Sequence, residues 1–290
     1  MGTYQIVTDS TADLTPELIR QLDVQVIPLC YMMGGRTYHN IPGGGEMTDR
    51  EFYAKLRGGA MSTTTQINSE EFLRVFTPLL EAGQDVLYIA FSSGLSGTCQ
   101  SAQLAREELQ KRFPQRKMVV FDSLCASMGE GLLVYYAAKL RQEGKSLEEV
   151  LAWLQENVLR LCHWFTVDDL NHLKRGGRVS TATALVGTML GIKPVLHVDD
   201  EGHLIPVSKV RGRKQSLDAL VRRMEETAQE PAGQMVFISH GDCLEDARYV
   251  ERQGREKLGV QQGEVGYIGP VIGAHSGPGT VALFFLGKER

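Results

Sequence analysis

The features that most directly reveal a protein's function are missing from this 290-residue sequence. No apolar run approaches the length of a membrane-spanning helix, and the N-terminus enters a strand pattern without the features of a signal peptide. Acidic residues outnumber basic ones by 35 to 31, so there is no excess of positive charge for nucleic acid. We therefore expect a cytoplasmic protein that binds no nucleic acid and makes at most transient contact with a membrane.

Cysteine and histidine are too scattered to indicate a disulfide framework or a metal site. The five cysteines are odd in number and include no C-x-x-C pair, which is typical of reduced thiols in a cytoplasm. The seven histidines include no H-x-x-x-H or H-E-x-x-H pair. The sequence therefore predicts no metal ion and no cofactor.

A serine hydrolase is the enzyme class to weigh, because Ser93 lies in a loop rich in serine and glycine. The G-x-S-x-G nucleophile elbow is absent, and the glycines of this loop have a different spacing. Acyl hydrolysis through Ser93 remains the alternative to ligand binding and ranks behind it.

The most informative stretch that is present covers residues 86–102. Six apolar or aromatic residues predict a buried parallel strand, and a loop of serine, glycine and threonine leads into a helix from about residue 100. Glycine lets the backbone come close, hydroxyls donate hydrogen bonds, and a helix N-terminus presents free N–H groups. The loop has no lysine, acid or histidine. This combination predicts a site that holds a small anionic group without cleaving it.

The order of apolar and amphipathic segments predicts an α/β protein with two domains. Up to residue 160, strands and helices alternate, which predicts a mainly parallel sheet with helices on both faces. Beyond it, a hairpin over 192–198 and 204–210, several helices including one at 181–190, and two final strands predict an α+β domain with a mixed sheet. We therefore predict domains over 1–160 and 161–290.

A second segment rich in hydroxyls is Ser62-Thr63-Thr64-Thr65-Gln66. Taken alone, it is best interpreted as a loop before a helix from residue 70, with Asn68 or Ser69 as the cap. We expect this loop and the loop around Ser93 to follow successive strands of one parallel sheet. Both would then lie at its carboxyl edge, where α/β proteins bind ligands.

Two basic clusters and one histidine complete the candidate sites. Arg175-Gly176-Gly177-Arg178 places two guanidinium groups around flexible backbone, and Arg211 lies in a second basic cluster at the end of the predicted hairpin. Arginine fits phosphate geometry, so both clusters are candidate contacts for a phosphate or a partner, with a solvated turn as the alternative. His275 lies in a loop before the last strand, where Gly277-Pro278-Gly279 would fix the backbone around one hydrogen-bond donor.

The chain resembles the DegV family of bacterial fatty-acid-binding proteins in a set of motifs that follow the family order over nearly the whole length. The matching segments are Val7-Thr8-Asp9-Ser10-Thr11-Ala12-Asp13-Leu14, Thr64-Thr65-Gln66, Ser92-Ser93-Gly94-Leu95-Ser96-Gly97-Thr98, Arg175-Gly176-Gly177-Arg178, Ile192-Lys193-Pro194, Lys209-Val210-Arg211-Gly212 and His275-x-Gly277-Pro278-Gly279. Together these motifs are far more specific than any one of them.

The resemblance implies a protein that binds one long-chain fatty acid and performs no chemistry itself. The carboxylate would be held by Thr64 and Ser93, with Thr63 and Thr65 as close neighbours and His275 as a further contact. The acyl chain would supply most of the affinity, because each buried methylene contributes about 0.8 kcal/mol before the cost of ordering the ligand. It needs an apolar tunnel, and we take residues 184–190, 192–198 and 281–285 as its candidate walls.

The resemblance also implies a protein partner. Some family members carry the fatty acid to an ATP-dependent fatty acid kinase, which converts the carboxylate to an acyl phosphate for phospholipid synthesis. Arg175 and Arg178 would contact that partner or the transferred phosphate, and Arg211 is a further candidate from the second basic cluster.

Overall fold

The computed structural model describes residues 4–180 and 191–290, and the helix predicted for residues 181–190 lies outside them. The described strands form three sheets. In chain order, the strands are β1 (Tyr4–Asp9), β2 (Gln25–Ile27), β3 (Cys30–Met33), β4 (Arg36–His39), β5 (Ser62–Thr65), β6 (Asp85–Ala90), β7 (Met118–Asp122), β8 (Leu161–Thr166), β9 (Ile192–Val198), β10 (Leu204–Arg211), β11 (Met235–His240), β12 (Gln262–Tyr267) and β13 (Val281–Leu286).

Four of the described helices begin at a residue whose side chain caps the first turn, namely Thr15, Thr48, Asn68 and Ser146. Thr48 and Glu51 form a capping box at one of them, and Ser146 and Glu149 form a second. In chain order, the helices are α1 (Pro16–Leu22), α2 (Asp49–Arg57), α3 (Ser69–Glu81), α4 (Thr98–Arg112), α5 (Met128–Gln142), α6 (Leu147–Asn157), α7 (Asn171–Arg175), α8 (Arg213–Thr227), α9 (Leu244–Leu258) and α10 (Pro270–Ser276), with 3₁₀ turns at Ser10–Ala12 and Val158–Arg160.

The first sheet is parallel and has the strand order β2, β1, β6, β7. Its central strand β6 is buried from Val86 to Ala90, because helices cover both faces of the sheet. Helices α3 and α4 pack on one face, and α1 and α5 pack on the other. The predicted α/β class and the parallel sheet with its helices are confirmed.

The second sheet is mixed and has the order β10, β9, β8, β13, β11, β12. Its antiparallel β9–β10 hairpin confirms the predicted one. Strand β8 is a finding that the sequence did not predict, although it lies near the centre of this sheet. All six of its residues are buried, so they lack the alternation of apolar and polar residues that marks a half-exposed strand.

The third sheet contains β4, β3 and β5, which are antiparallel. It corrects one prediction, because residues 62–65 form strand β5 rather than a loop. Strand β5 pairs with the β3–β4 hairpin, which begins at Cys30. Thr64 pairs with Tyr31 of β3, so the hydroxyl-rich segment does not follow a strand of the parallel sheet. Threonine favours strands, and here pairing along β3 outweighs the turn tendency of a run of hydroxyls.

One face of the second sheet packs against α5 and its neighbours in the first half of the chain. A shared core contains Ile6 and Leu87 of the first sheet, Leu132 of α5, and Phe165 and Phe284 of the second sheet. The loops at the carboxyl edge of the first sheet therefore meet the inner face of the second. Of the helices that the structure describes, none is long and apolar enough to cross a membrane.

Candidate functional site

A cavity of about 470 Å³ lies where the three sheets meet. This volume is within the range of about 300–1,000 Å³ that is usual for small-molecule sites. Its wall is mainly apolar and combines residues from all three sheets and their loops. Apolar lining residues include Phe91, Phe165, Val198, Val271, Ala282 and Phe284, and polar ones include Thr64, Thr65, Ser96, Ser127, Arg178 and His275.

Four of the polar lining residues form what we call the Arg178 cluster: Thr64, Ser96, Arg178 and His275. His275 Nε2 lies 2.8 Å from Thr64 Oγ1, which joins α10 to strand β5. The Arg178 Nε donates to the Leu95 carbonyl at 3.2 Å, next to Ser96. His275 belongs to helix α10 rather than to the predicted loop, and the rigid Gly277–Gly279 turn follows it.

His275 is held neutral in this cluster. Burial, with the nearby Arg178 charge as a smaller cause, lowers its pKa from 6.5 to about 4. Its Nδ1 is buried and has no hydrogen-bond partner among the described residues. Gly176 makes this placement possible, because a Cβ at that position would collide with Nδ1.

Arg178 is half-buried and has no carboxylate partner among the residues that the structure describes. Its Nη1 donates to the Gly176 carbonyl and its Nε to the Leu95 carbonyl, so two backbone acceptors fix the guanidinium at the cavity. Burial lowers the pKa of Arg178, yet an arginine side chain stays charged. A fixed, desolvated cation without an acid beside it is a suitable site for an external anion.

The three serines of the loop around Ser93 lie in different environments. Ser92 is buried and donates to the Gly202 carbonyl at 2.9 Å, which ties this loop to the β9–β10 turn. Ser93 is exposed and is not part of the cavity wall, and its backbone N–H donates to Asp122. Ser96 does line the cavity, and its Oγ accepts from the Thr98 N–H at the start of α4.

The remaining predicted residues are only partly brought together. Thr65 lines the cavity beside Thr64, whereas Thr63 is exposed and lies outside the wall. Arg175 is exposed at the end of α7 and contacts His172 Nδ1 at 2.9 Å. Arg211 is exposed at the end of β10, which is an edge strand of the second sheet. The structure thus unites Thr64, Thr65, Arg178 and His275, and places Ser93, Thr63, Arg175 and Arg211 outside the cavity wall.

A second polar group, which we call the Asp9 cluster, borders the cavity through Thr11 and was not predicted. Tyr88 donates to Asp9 at 2.6 Å, and both the N–H and the hydroxyl of Thr11 also lie against Asp9. Glu130 of α5 contacts the hydroxyls of Thr8 and Thr11 at 2.8 and 3.0 Å. Asp9 and Thr11 stand in a motif that the sequence singles out, but nothing local marks Glu130 as buried.

Burial raises the pKa of both acids in the Asp9 cluster, and that of Glu130 lies well above its ordinary value. The hydrogen-bond geometry also indicates that one of these two acids is protonated. The Thr11 hydroxyl has one proton but contacts both carboxyls, so one of the two contacts needs a proton from an acid. A protonated Glu130 that donates to Thr11, which then donates to Asp9, satisfies all three groups.

The site has the parts of a binding pocket, with a mainly apolar wall and a small set of polar side chains. In the described residues the polar partner of His275 is Thr64, and the polar partner of Ser96 is Thr98, so no serine–histidine pair lines the cavity. No group of three or more metal-ligating side chains occurs in residues 4–180 and 191–290. The fold and site define an α/β protein with a mainly apolar internal cavity that carries a fixed cation.

The chain belongs to the DegV family. A family model described as "Uncharacterised protein, DegV family" matches residues 3–288. A DegV domain-containing protein of Clostridium perfringens is 45% identical over 291 residues, which cover 100% of this chain and 99% of the relative. This confirms the resemblance seen in the motifs.

Solved structures of family members share the whole fold. A DegV lipid-binding protein from Thermotoga maritima superposes with a TM-score of 0.86 at 31% identity, covering 99% of each chain. A DegV-family protein from Thermus thermophilus, characterised for fatty acid binding, superposes with a TM-score of 0.85 at 35% identity. That match covers 98% of this chain and 99% of the other.

Proposed function

We propose that this protein binds a long-chain fatty acid, with the carboxylate at the Arg178 cluster and the acyl chain along the apolar wall. The carrying observation is the half-buried guanidinium of Arg178, which opens on a mainly apolar cavity and has no acidic partner among the described residues. The fatty acid binding of the Thermus thermophilus relative supports the same ligand class. A fatty acid fits both parts of the site, because its carboxylate suits the Arg178 cluster and its acyl chain suits the apolar wall.

His275 and Thr64 would supply a hydrogen bond to the carboxylate. If the Nε2 of neutral His275 carries the proton, it donates to Thr64 Oγ1 across 2.8 Å and leaves the threonine proton free for the ligand. Arg178 would add a charge-assisted bond to the same carboxylate.

Within the loop around Ser93, we propose Ser96 as the hydroxyl that reaches the ligand. The resemblance implied Ser93, but Ser96 lines the cavity and Ser93 is exposed outside it. The two serines lie three residues apart, and a two-residue turn separates their environments. They therefore form a matched pair for testing the site.

We also propose a kinase partner that phosphorylates the bound carboxylate for phospholipid synthesis. Its support is the family resemblance, together with the exposed Arg175 on the helix that precedes Arg178. Arg211 would contribute a more distant contact on the edge of the second sheet. We place this function in the cytoplasm, with domains 1–160 and 161–290 on either side of the cavity.

The decisive experiment removes bound lipid from the purified protein and measures uptake of octadecanoic acid by native mass spectrometry and fluorescence competition. We expect one fatty acid per chain. Ser96→Ala should weaken binding by about three- to tenfold, since a net hydrogen bond contributes roughly 1 kcal/mol. Ser93→Ala is the control and should bind as the wild type does.

Failure of the delipidated, folded protein to take up any long-chain fatty acid would refute the proposed function. A loss in Ser93→Ala with full binding in Ser96→Ala would return the carboxylate contact to Ser93. Transfer to the kinase is tested separately, by acyl phosphate formation with a DegV-linked fatty acid kinase and ATP.

A further inference from the structure

One polar side chain interrupts the apolar wall of the cavity. His163 lies on β8 with only 1% of its surface exposed, and it is one of the residues that line the cavity. Its neighbour on β13 is Phe284, whose ring meets the imidazole edge-on at a centroid distance of 5.5 Å. Val198 also lines this part of the wall. An imidazole therefore stands where a ligand tail would pass.

Both ring nitrogens of His163 lack a hydrogen-bond partner among the described residues. The Leu161 carbonyl lies near the ring without meeting hydrogen-bond geometry. Burial, assisted by the charge of Arg290, lowers the pKa of His163 well below 6.5, so the imidazole is neutral. A neutral imidazole has one donor and one acceptor, and a buried polar group without partners is unusual in a folded protein.

The absence of a side chain at Gly129 leaves space for the His163 ring. A Cβ at Gly129 would collide with His163 Nε2, and it would also press on the Phe284 ring. The N-terminal turn of α5 therefore leaves room for the imidazole but offers it no partner.

The position along the cavity sets which part of a ligand His163 would meet. Thr280 lines the cavity next to α10, where its hydroxyl donates to the Ser276 carbonyl. Phe284 of β13, opposite His163, lies four residues further along the chain, or roughly 13 Å at about 3.3 Å per strand residue. That distance places the imidazole near the middle of a long acyl chain whose carboxylate is at the Arg178 cluster.

We propose that His163 selects acyl chains that carry a hydroxyl group near their middle, an inference that rests on the proposed function. A hydroxyl both donates and accepts, so it pairs with either tautomer of the ring. A saturated chain leaves both nitrogens unpaired, and a carbon–carbon double bond offers only a weak N–H···π contact. Sites built to hydrogen-bond a ligand hydroxyl discriminate strongly against analogues that lack it.

His197 provides a matched control on the neighbouring strand. It is also a buried histidine, but it lies on the opposite face of the sheet, where its ring stacks on Trp164 at 4.1 Å. It is not part of the cavity wall. Its Nδ1 lies 2.8 Å from the backbone carbonyl oxygen of His163. Substitution of His197 therefore perturbs the same strand and removes a backbone contact of His163, but it leaves the His163 imidazole itself in place.

The experiment compares octadecanoic acid with its 2-, 10- and 12-hydroxy derivatives on the delipidated wild type, His163→Phe and His197→Phe. We expect the wild type to bind one mid-chain hydroxy acid about tenfold more tightly than the 2-hydroxy acid, and at least as tightly as octadecanoic acid. His163→Phe should lose that preference and bind octadecanoic acid more tightly, whereas His197→Phe should keep it.

The outcomes separate the two proposals. Binding of octadecanoic acid with no mid-chain preference in the wild type would overturn the role of His163, which a bound water would then satisfy, and would leave the proposed function standing. A preference that survives in folded His163→Phe would also overturn it. If no acid binds at all, the proposed function fails and this inference fails with it. The wild-type preference alone decides the matter if His163→Phe does not fold.

Discussion

Thr11 of the Asp9 cluster and Thr64 of the Arg178 cluster line the same cavity, but their hydroxyls have different surroundings. Thr11 lies between two carboxyls that the protein itself satisfies. Thr64 lies against a neutral histidine, beside a cation that has no acid partner in the described part of the chain. The first arrangement is closed on itself and stabilises the fold, whereas the second leaves hydrogen-bonding capacity and positive charge for a ligand.

The difference teaches that burial of polar groups near a cavity does not by itself mark a ligand site. The Asp9 cluster is more deeply buried, and burial raises the pKa of Asp9 and raises that of Glu130 well above its ordinary value. Its hydrogen bonds are nevertheless satisfied within the protein once Glu130 holds a proton, and it has no positive charge to offer an anion. A polar atom without a hydrogen-bond partner on a residue of the cavity wall itself, such as Nδ1 of His275, is the better indicator.

The largest effect should come from emptying the Asp9 cluster. Glu130→Ala removes a fully buried side chain and leaves a void beside the hydroxyls of Thr8 and Thr11. We expect the free energy of unfolding to fall by roughly 3 kcal/mol, from the lost packing and the lost hydrogen bonds. Chemical denaturation of the ligand-free protein measures this change.

Glu130→Gln is the matched control, because it keeps the shape and the absence of charge that we assign to Glu130. It should cost less than about 1 kcal/mol in unfolding free energy and leave octadecanoic acid binding unchanged. A loss of ligand binding in the folded Gln variant would break the comparison, since the Asp9 cluster would then take part in recognition.

Next in size is the loss of the cation from the Arg178 cluster. Arg178→Met keeps the apolar stem of the side chain and removes its charge, so we expect fatty acid binding to weaken by about 10- to 100-fold. Arg175→Met, three residues away on the exposed end of α7, should bind normally. Competition against a fluorescent fatty acid measures both, and equal losses in the two variants would show that Arg178 acts only through general charge.

The sequence predicts much of the fold. The physical reason why it succeeds or fails differs from one element to the next. Long apolar runs and capping boxes predict the parallel sheet and helices such as α2. Strand β8 was not predicted because its burial on both faces removes the alternation of apolar and polar residues. Strand β5 was not predicted because a run of hydroxyl residues is compatible with either a strand or a loop. Pairing between distant segments decides both cases.

The site also contains residues that local motifs predict and residues that only the tertiary structure identifies. Thr64, Arg178 and His275 belong to local sequence motifs that indicate polar binding groups, and all three line the cavity. The choice between Ser93 and Ser96 depends on a turn whose direction no local pattern specifies. The isolation of His163 also depends on which face of β8 turns inwards, which only the assembled sheet determines.

A smaller effect concerns how the stability of the ligand-free protein varies with pH. The pKa of His275 is about 4 when folded and near 6.5 when unfolded, so the unfolded state binds more protons between these values. The neutral ring's contribution is complete above pH 6.5 and is lost as pH falls towards 4. We expect a loss on the order of 1 kcal/mol per pH unit in this window.

Denaturation at pH 7, 6 and 5 should show a weaker pH dependence for His275→Gln than for the wild type. Octadecanoic acid should flatten the wild-type dependence, because a carboxylate beside His275 opposes the lowering of its pKa. His240, whose pKa burial also lowers to about 4, lies outside the cavity wall. His240→Gln should therefore reduce the pH dependence equally with and without the fatty acid, and an effect of ligand on both histidines would contradict the assignment.

The smallest and sharpest test uses two neighbouring threonines on opposite faces of β5. Thr64 lines the cavity and contacts His275, whereas Thr63 is exposed outside the wall. Valine keeps the β-branched shape that a strand favours and removes only the hydroxyl. Thr64→Val should weaken octadecanoic acid binding by about fivefold, because one hydrogen bond to a carboxylate is lost and His275 Nε2 loses its partner. Thr63→Val should bind as the wild type does, and equal binding by both variants would mean that the carboxylate is held by Arg178 without the threonine.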